Sequence, residues 1–229
     1  MADGETQAIL KYELEDADEA FDANGVIVPI PEQHDESLSL FVEHGLTKRI
    51  TLQGKLGWTR GDGLFDKYEG RGPIDLGARY SLFKGKRTVV SLYAGATFAG
   101  EGRAAAYRQP GEGGTDAELR FLAGRSGTLW KRHLFGELQV ARLAREGLPD
   151  ETRVETTVGW HPARNWLLLF QNYAGRAEAE PVAPMWLKSE VSVVRDLGRW
   201  RVQGGWRSTA IGVEMPNQNG RVLALWRTF

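Results

Sequence analysis

Apolar and polar residues alternate along most of the chain. In residues 50–59, isoleucine, leucine and tryptophan occupy one set of alternate positions, and threonine, glutamine and lysine occupy most of the other. The same pattern recurs at 74–82, 153–161 and 187–193, and no segment sustains the helical period of about 3.6 residues. Because successive side chains of a β-strand point to opposite faces, this pattern predicts strands with one apolar and one polar face.

Twelve segments of this kind are the predicted strands. Most contain about ten residues, the length that a tilted strand needs to cross the apolar layer of a membrane. The segments are 5–15, 36–44, 50–59, 73–83, 88–99, 115–126, 134–145, 152–161, 166–176, 185–196, 200–210 and 219–229.

The connections between these segments form two series. Outer-membrane barrels have short turns at the periplasmic end and longer loops outside, and the same contrast is found here. It predicts an all-β fold in which residues 1–229 form one antiparallel up-and-down transmembrane β-barrel of about 12 strands, with 16–35 as a long first external loop. A soluble β-sandwich with tryptophans in its core is the alternative. The short series is 45–49, 84–87, 162–165 and 197–199, and the long series is 16–35, 60–72, 100–114, 146–151, 177–184 and 211–218.

Aromatic residues favour the barrel over the sandwich. A barrel carries two aromatic belts where its outer surface meets the two membrane interfaces. We expect one belt near the short connections and one near the long loops. The first contains Tyr80, Trp130, Trp160, Trp166, Trp200 and Phe229, and the second contains Trp58, Phe98 and Trp186.

Composition narrows the classes of protein. The 229 residues include 28 glycines and no cysteine, and the formal net charge is −1. The balanced charge gives no basic field for nucleic acid, and the lack of cysteine excludes disulfides and thiolate metal sites. With a mean hydropathy of −0.38 the chain is too polar for a helical membrane protein, but not for a barrel. The first residues show no signal peptide, so we interpret the chain as a mature form that reaches the outer membrane.

The last strand resembles a known class of proteins. Phe229 ends the chain, and Leu223 and Leu225 precede it at alternate positions, as in the terminal strands of Gram-negative outer-membrane porins and related barrels. Arg227 departs from the pattern, since an apolar or aromatic residue is usual there. By strand number the chain is similar to the twelve-stranded group of small oligosaccharide or nucleoside channels and an outer-membrane phospholipase.

The resemblance implies a location and several partners. It implies an outer-membrane position, with lipid and lipopolysaccharide around the barrel. It also implies that the terminal strand is the signal read by the barrel-insertion machinery. Small solutes would be the cargo of a channel of this class. No family-specific functional motif accompanies the strand pattern. The resemblance therefore implies the fold and the location more strongly than the activity.

We assign the polar face of each strand to the barrel interior. Basic and acidic residues nearly balance there, so alternating signs on neighbouring strands could pair across the strands. The residues expected to line the lumen or pore are Lys55, Asp75, Arg79, Glu118, Arg120, Glu137, Glu155, Lys188, Glu190, Arg201 and Arg207.

Two interpretations of this charged face remain open. In one, a basic wall faces an acidic wall across a narrow aqueous pore and tunes its selectivity. In the other, the charges neutralise one another and fill the barrel, since twelve strands enclose only a moderate lumen. The basic wall would contain Lys188, Arg201 and Arg207, and the acidic wall Glu118, Glu137 and Glu155.

Catalytic patterns are missing from the sequence. There is no G-x-S-x-G, H-E-x-x-H or P-loop, and His34 is the one histidine expected outside. Ser37 and Ser39 are near it in sequence but do not form a triad. We therefore expect no enzyme, no catalytic residue, no metal site and no cofactor. The first external loop is acidic, and its apolar stretch 26–31 could fold into the mouth as a constriction or cover a partner.

Three functional hypotheses follow, in order of preference. The first is a narrow passive channel for small polar or charged solutes. The second is a non-conducting structural or docking barrel for a surface polymer or a secretion partner, which a sealed lumen would favour. The third is a hydrolase at the barrel rim, which would need His34.

Overall fold

The computed structural model describes residues 1–64, 67–103 and 106–229. Within these ranges the regular elements are strands, and no helix is long and apolar enough to cross a membrane. The strands are β1 (Thr6–Phe21), β2 (Ile27–Gly45), β3 (Ile50–Gly63), β4 (Lys67–Arg71), β5 (Ile74–Lys84), β6 (Thr88–Phe98), β7 (Thr115–Leu129), β8 (Arg132–Arg145), β9 (Glu151–Ala163), β10 (Trp166–Ala177), β11 (Met185–Asp196), β12 (Trp200–Val213), β13 (Met215–Pro216) and β14 (Asn219–Thr228).

The sheet closes through β1. Each of the twelve long strands pairs antiparallel with its neighbours around the barrel, and β1 pairs with β2 on one edge and with β14 on the other. Glu13 lies opposite both Ser37 and Val222. At the end of the chain, the Phe229 amide donates to the Thr6 carbonyl over 2.9 Å. The predicted twelve-stranded, all-β, up-and-down barrel is confirmed.

The first external loop is the largest departure from the predicted strands. Residues 16–35 were expected to form a loop, but β1 continues to Phe21 and β2 begins at Ile27. Most of the segment is therefore a β-hairpin, whose turn spans 22–26. Beyond the membrane no face of the hairpin meets lipid, so the apolar alternation that marks a lipid-facing strand disappears there. The Asp22 carboxylate closes the turn by accepting the Asn24 and Val26 amides, each over 2.8 Å.

Two other predicted loops contain short strands. In the connection 60–72, β4 folds back on β3 and places Tyr68 opposite Gly61. In the connection 211–218, β13 pairs with the upper end of β1, where Met215 lies opposite Phe21. Residues 65–66 and 104–105, which belong to the predicted loops 60–72 and 100–114, lie outside the described residues.

The turn between β7 and β8 carries aromatic surface. Trp130 and Lys131 are its two central residues, with φ angles of 50° and 62°. Positive φ at both positions is what a type I′ hairpin turn requires, because its twist matches that of the flanking strands. The Trp130 ring contacts the Trp160 ring edge-on, with centroids 5.7 Å apart. The two tryptophans thus lie together at the short-turn end, where one aromatic belt was predicted.

The outer face is an apolar band. Leu56 on β3, Val191 on β11 and Leu223 on β14 each expose 57% of their surface, and many other leucines, valines and phenylalanines are similarly exposed. A continuous band of this kind is unfavourable in water but suits the hydrocarbon layer of a membrane. The soluble β-sandwich is therefore wrong, because the apolar side chains lie outside the barrel and the charged ones inside.

Trp186 does not belong to the predicted outer belt. By alternation it lies on the same face of β11 as Lys188 and Glu190, and its ring centroid is 6.1 Å from that of Tyr107 inside the barrel mouth. A Cβ at Gly175 would lie 2.2 Å from the Trp186 ring, so glycine at that position makes room for the indole. Leu187 is the neighbouring residue that takes the outward position.

Candidate functional site

One side of the lumen is filled by a network of paired charges. The Glu190 side chain is fully buried, and Arg207 donates to it from Nε over 3.2 Å and from Nη2 over 2.7 Å. Arg207 Nη1 lies 2.6 Å from Glu13 Oε1, and Lys11 Nζ lies 3.0 Å from the same oxygen. Two acids and two bases thus neutralise one another. We call the inner faces of β1, β10, β11, β12 and β14 the packed wall.

Neutral polar groups extend this network toward the short-turn end. Ser192 Oγ donates to Glu190 Oε1 over 2.9 Å, and Gln203 Nε2 donates to the same oxygen over 3.1 Å. Trp226 Nε1 in turn donates to Gln203 Oε1 over 3.0 Å. Satisfied partners are what make a buried carboxylate tolerable in a poorly hydrated interior.

An apolar cluster completes the packed wall at the short-turn end. Leu167, Leu169 and Val194 are buried against one another, and Phe135 and Trp226 pack on them. These residues lie on inner faces that we had expected to be polar. The reason is geometric, because a narrow barrel needs side-chain volume to close its interior, whichever residue type supplies it. This cluster is part of the site that sequence reasoning missed.

The other side of the lumen is open. We call the inner faces of β2, β3 and β5 to β9 the open wall, and four cavities bordered by charged side chains follow it. The central cavity has a volume of about 620 Å3 and is bordered by Asp75 and Glu118. The upper cavity, about 560 Å3, reaches Lys188 and Arg207 across the lumen. The mouth cavity, at the long-loop end, has about 450 Å3, and the turn-end cavity, at the short-turn end, about 510 Å3.

Neighbouring cavities share wall residues. Tyr107 borders both the mouth and the upper cavity, and Lys55 and Glu155 border both the upper and the central cavity. Arg79 and Glu137 border both the central and the turn-end cavity. The four cavities therefore adjoin in series from one end of the barrel to the other, along the open wall.

A segment folded into the barrel narrows this series at the mouth. We call residues 99–103 and 106–114, which lie between β6 and β7, the strap. Arg103 Nη1 donates to Gln33 Oε1 over 3.1 Å, and the Tyr107 hydroxyl donates to Glu151 Oε1 over 2.5 Å. Burial, together with that hydrogen bond, raises the pKa of Tyr107 above its ordinary value, so the hydroxyl remains a donor. The strap therefore reaches β2, β9 and, through Trp186, β11.

The strap takes the place that we had considered for residues 26–31. Those residues belong to the turn and to β2, where Val26 and Ile27 are exposed on the hairpin. The strap sequence contains glycines and two arginines but no pattern that indicates an inward fold. Its position depends on contacts with residues far away in the chain, which no local pattern reports.

The structure distributes the eleven predicted lumen residues unevenly. Glu190 is sealed behind Arg207, and Arg201 lies beside the last short turn, 3.5 Å from Asp196 and half-exposed. The remaining nine border cavities. Lys55, Asp75, Arg79, Glu118, Arg120, Glu137 and Glu155 border the central cavity, and Lys188 and Arg207 border the upper one.

The ion pairs differ from the predicted arrangement of two opposing walls. Lys188 lies 3.0 Å from Glu15, and Glu118 lies 2.5 Å from Arg120 two residues along the same strand. Arg79 pairs with Glu43 at 3.2 Å. Charges thus pair with close neighbours, because attraction between partners in contact exceeds attraction across a hydrated lumen.

Lys55 is the exception among these cations. Its side chain points into the lumen where the upper and central cavities meet, and within the described chain it makes no ion pair and no hydrogen bond. The positive charge of Lys55 is therefore directed into the lumen. Sequence analysis named Lys55, but only the structure distinguishes it from the paired residues.

The residues that a rim hydrolase would need do not come together. His34 Nδ1 contacts Asp16, and its Nε2 lies 3.3 Å from Glu36 Oε1. Ser37 lies on the inner face of β2 and donates a hydrogen bond to Glu13 of β1. His34, three residues earlier in β2, lies on the opposite face. Across the described ranges, no three His, Cys, Asp or Glu side chains are grouped to hold a metal ion.

Comparison with known proteins places this barrel among outer-membrane structures. No family model and no curated protein matches the chain. An outer-membrane channel from Pseudomonas putida F1 is similar with a TM-score of 0.78 and 14% identity, over 100% of this chain and 97% of that one. The NanC porin has a TM-score of 0.61 and 7% identity, over 95% and 98% of the two chains.

A third similar structure is not a porin. The translocator domain of the autotransporter NalP from Neisseria meningitidis has a TM-score of 0.59 and 12% identity, over 100% of this chain and 90% of that one. The likeness to all three establishes the fold, which is that of a twelve-stranded outer-membrane β-barrel. Because one fold can have many functions, the fold alone does not establish the activity, which depends on the residues of the lumen.

Proposed function

We propose that the protein is a narrow passive channel of the outer membrane for small polar and charged solutes, with a preference for anions. The observation that carries the proposal is the series of four adjoining cavities along the open wall, each bordered by charged side chains. Similarity to outer-membrane channels supports it. One of them, the KdgM porin, with a TM-score of 0.58 and 8% identity, has been solved in complex with oligogalacturonate.

The preference for anions follows from the unpaired charge of Lys55. Among the cations that border the upper and central cavities, Lys55 is the one without an ion pair to the described residues, and it lies at their junction, with Asp75 as its cross-strand neighbour. Two unit charges 4 Å apart interact by about 1 kcal/mol even at the dielectric constant of water. Charged side chains directed into a pore select ions in this way.

Single-channel conductance in planar bilayers tests the proposal. We expect discrete conductance steps from purified wild-type protein and a reversal potential in a salt gradient that reports anion preference. Protein that inserts in folded form but gives no steps at any salt concentration would overturn the proposal.

Substitution of Lys55 tests the selectivity separately. Lys55→Gln should reduce the anion-to-cation permeability ratio by roughly fivefold, as expected for loss of about 1 kcal/mol, and Lys55→Glu should invert the preference. Lys48→Gln is the matched control, because Lys48 lies exposed in a short turn away from the cavities. A Lys55→Glu channel with unchanged reversal potential would refute the role of this lysine.

A second function is favoured by a different observation. The packed wall fills one side of the lumen, and the strap crosses its mouth. Both features are expected of a structural barrel that does not conduct. Such a barrel could dock a surface polymer or a secretion partner. Absence of conductance, together with a partner that co-purifies with the wild type, would favour this function over the channel.

A further inference from the structure

The mouth cavity contains an arginine whose hydrogen-bonding capacity the protein does not use. This cavity lies between the strap and the base of the β1–β2 hairpin, and Gln33, Arg103, Tyr107, Arg108 and Glu112 border it. Arg108 makes no ion pair with the described part of the chain. Its Nε is buried and has no hydrogen-bond partner in the protein.

The guanidinium of Arg108 is held by a ring that is itself fixed. Its Cζ lies 5.6 Å from the centroid of the Tyr107 ring, within the range of a cation–π contact. The Tyr107 hydroxyl is bonded to Glu151, whose side chain is fully buried. Stacking orients a guanidinium while leaving its N–H edge available to a ligand. Among the described residues, Glu112 is the only carboxylate that borders the cavity, and it makes no ion pair with Arg108.

We propose that the mouth cavity binds an oxyanion group, the carboxylate or phosphate of a solute, through the guanidinium of Arg108. An arginine offers paired N–H donors whose planar geometry matches these groups, which is why it is favoured for binding them. The two Nη groups of Arg108, which make no hydrogen bond with the described residues, are the donors that meet the bound group. Gln33 on β2 also borders the cavity, where its Oε1 accepts a hydrogen bond from Arg103.

The position of this site gives it a role in uptake. Tyr107 separates the mouth cavity from the upper cavity, so a solute entering from the long-loop end meets Arg108 before it meets Lys55. The site would then concentrate anions ahead of the upper cavity. This role rests on the proposed channel function, but binding at Arg108 does not.

Equilibrium binding to the purified, folded protein in detergent is the test, since it does not require conduction. Inorganic phosphate and acetate are titrated separately by calorimetry, so that the two arms distinguish phosphate from carboxylate recognition. We expect saturable binding of at least one of them to the wild type. Arg108→Gln should weaken it about tenfold or more, as expected for loss of a charge-assisted donor pair, and Arg108→Lys should weaken it less.

Arg125→Gln is the matched control, because Arg125 lies exposed at the turn-end cavity. Its binding should equal that of the wild type, and all variants should keep the far-UV spectrum of the folded barrel. Wild-type protein that binds neither anion overturns the proposal, as does an Arg108→Gln variant that binds like the wild type. Equal weakening in Arg125→Gln also overturns it, since that result means binding to diffuse charge. Binding at Arg108 without conductance would overturn the channel function alone.

Discussion

The two sides of the lumen contain the same kinds of charged residues, but one side is packed and the other is open. On the packed wall, Glu190 is fully buried and contacts Arg207, Lys11 and neutral donors. On the open wall, the Glu155 side chain keeps 27% of its surface exposed, and its arginine partner is 3.8 Å away. The residue types therefore do not decide whether a wall is sealed or open. What decides it is how many neighbours reach each charge.

Under the proposed channel function, this difference divides stability from transport within one barrel. The packed wall excludes water, so a charged group there that loses its partner strongly destabilises the fold. Midway along the open wall, charges such as Glu155 stay near water, where removing one changes the electrostatic field of the lumen more than the stability of the fold. At the long-loop end of the same wall, Arg145 and Glu151 are instead buried against each other. Substitutions matched across the two walls test this division.

The largest expected effect is on the buried carboxylate of the packed wall. Glu190→Gln should lower the free energy of unfolding by about 3–5 kcal/mol, because Arg207 and Lys11 are then left with Glu13 alone, and one buried positive charge loses its counter-charge. Glu155→Gln on the open wall should change it by less than about 1 kcal/mol. Denaturant unfolding from lipid vesicles measures both. Equal losses in the two variants would remove the distinction between the walls.

A second pair compares buried leucines. Leu169 and Leu122 expose only 4% and 6% of their surface, but Leu169 is enclosed by the apolar cluster and Leu122 borders two cavities. Leu169→Ala should destabilise the barrel by about 3 kcal/mol, since it leaves a void. Leu122→Ala should be less destabilising, by roughly 1 kcal/mol, because the site already adjoins open space. The same unfolding assay applies, and a reversed order would contradict the assignment of the two walls.

The third prediction concerns the strap, which connects the walls. Tyr107→Ala removes both the hydrogen bond to Glu151 and the ring contact with Trp186, so the single-channel conductance should rise severalfold. Tyr107→Phe keeps the ring and should change the conductance little. Planar-bilayer recordings at fixed salt make the comparison. If Tyr107→Ala conducts like the wild type, the strap does not set the constriction.

The smallest effect is expected far from both walls, in the turn 22–26. Backbone hydrogen bonds from Val26 and Asn24 lower the pKa of Asp22 below its ordinary value of about 3.8. A lowered folded pKa means that the stabilisation is present above the unfolded value and is lost as the pH falls through the folded one. Hydrogen exchange of the turn amides should therefore rise at acidic pH and in Asp22→Ala at neutral pH. Asp18→Ala is the control, and an equal rise there would rule out a specific turn contact.

Sequence patterns predicted the membrane-spanning strands well, and the reason is physical. Alternation is strong wherever one face meets lipid, and the predicted segment 185–196 coincides with β11. Prediction from alternation fails in 16–35, where the hairpin lies beyond the lipid-facing band. It also fails at Trp186, where an aromatic residue points inward. Long-range contacts decide such positions, and a local period does not contain them.

For the candidate site, sequence and tertiary structure contributed different things. The sequence by itself determined the strand number, the closed barrel with apolar residues outside, and a charged inner face that includes Lys55, because each follows from a period of two and from the residue types. Only the tertiary structure decided which charges are paired, which side of the lumen is packed, and that the strap folds inward. Those outcomes depend on side chains such as Lys11 and Glu190, which are 179 residues apart in the chain and meet only when β1 closes the barrel.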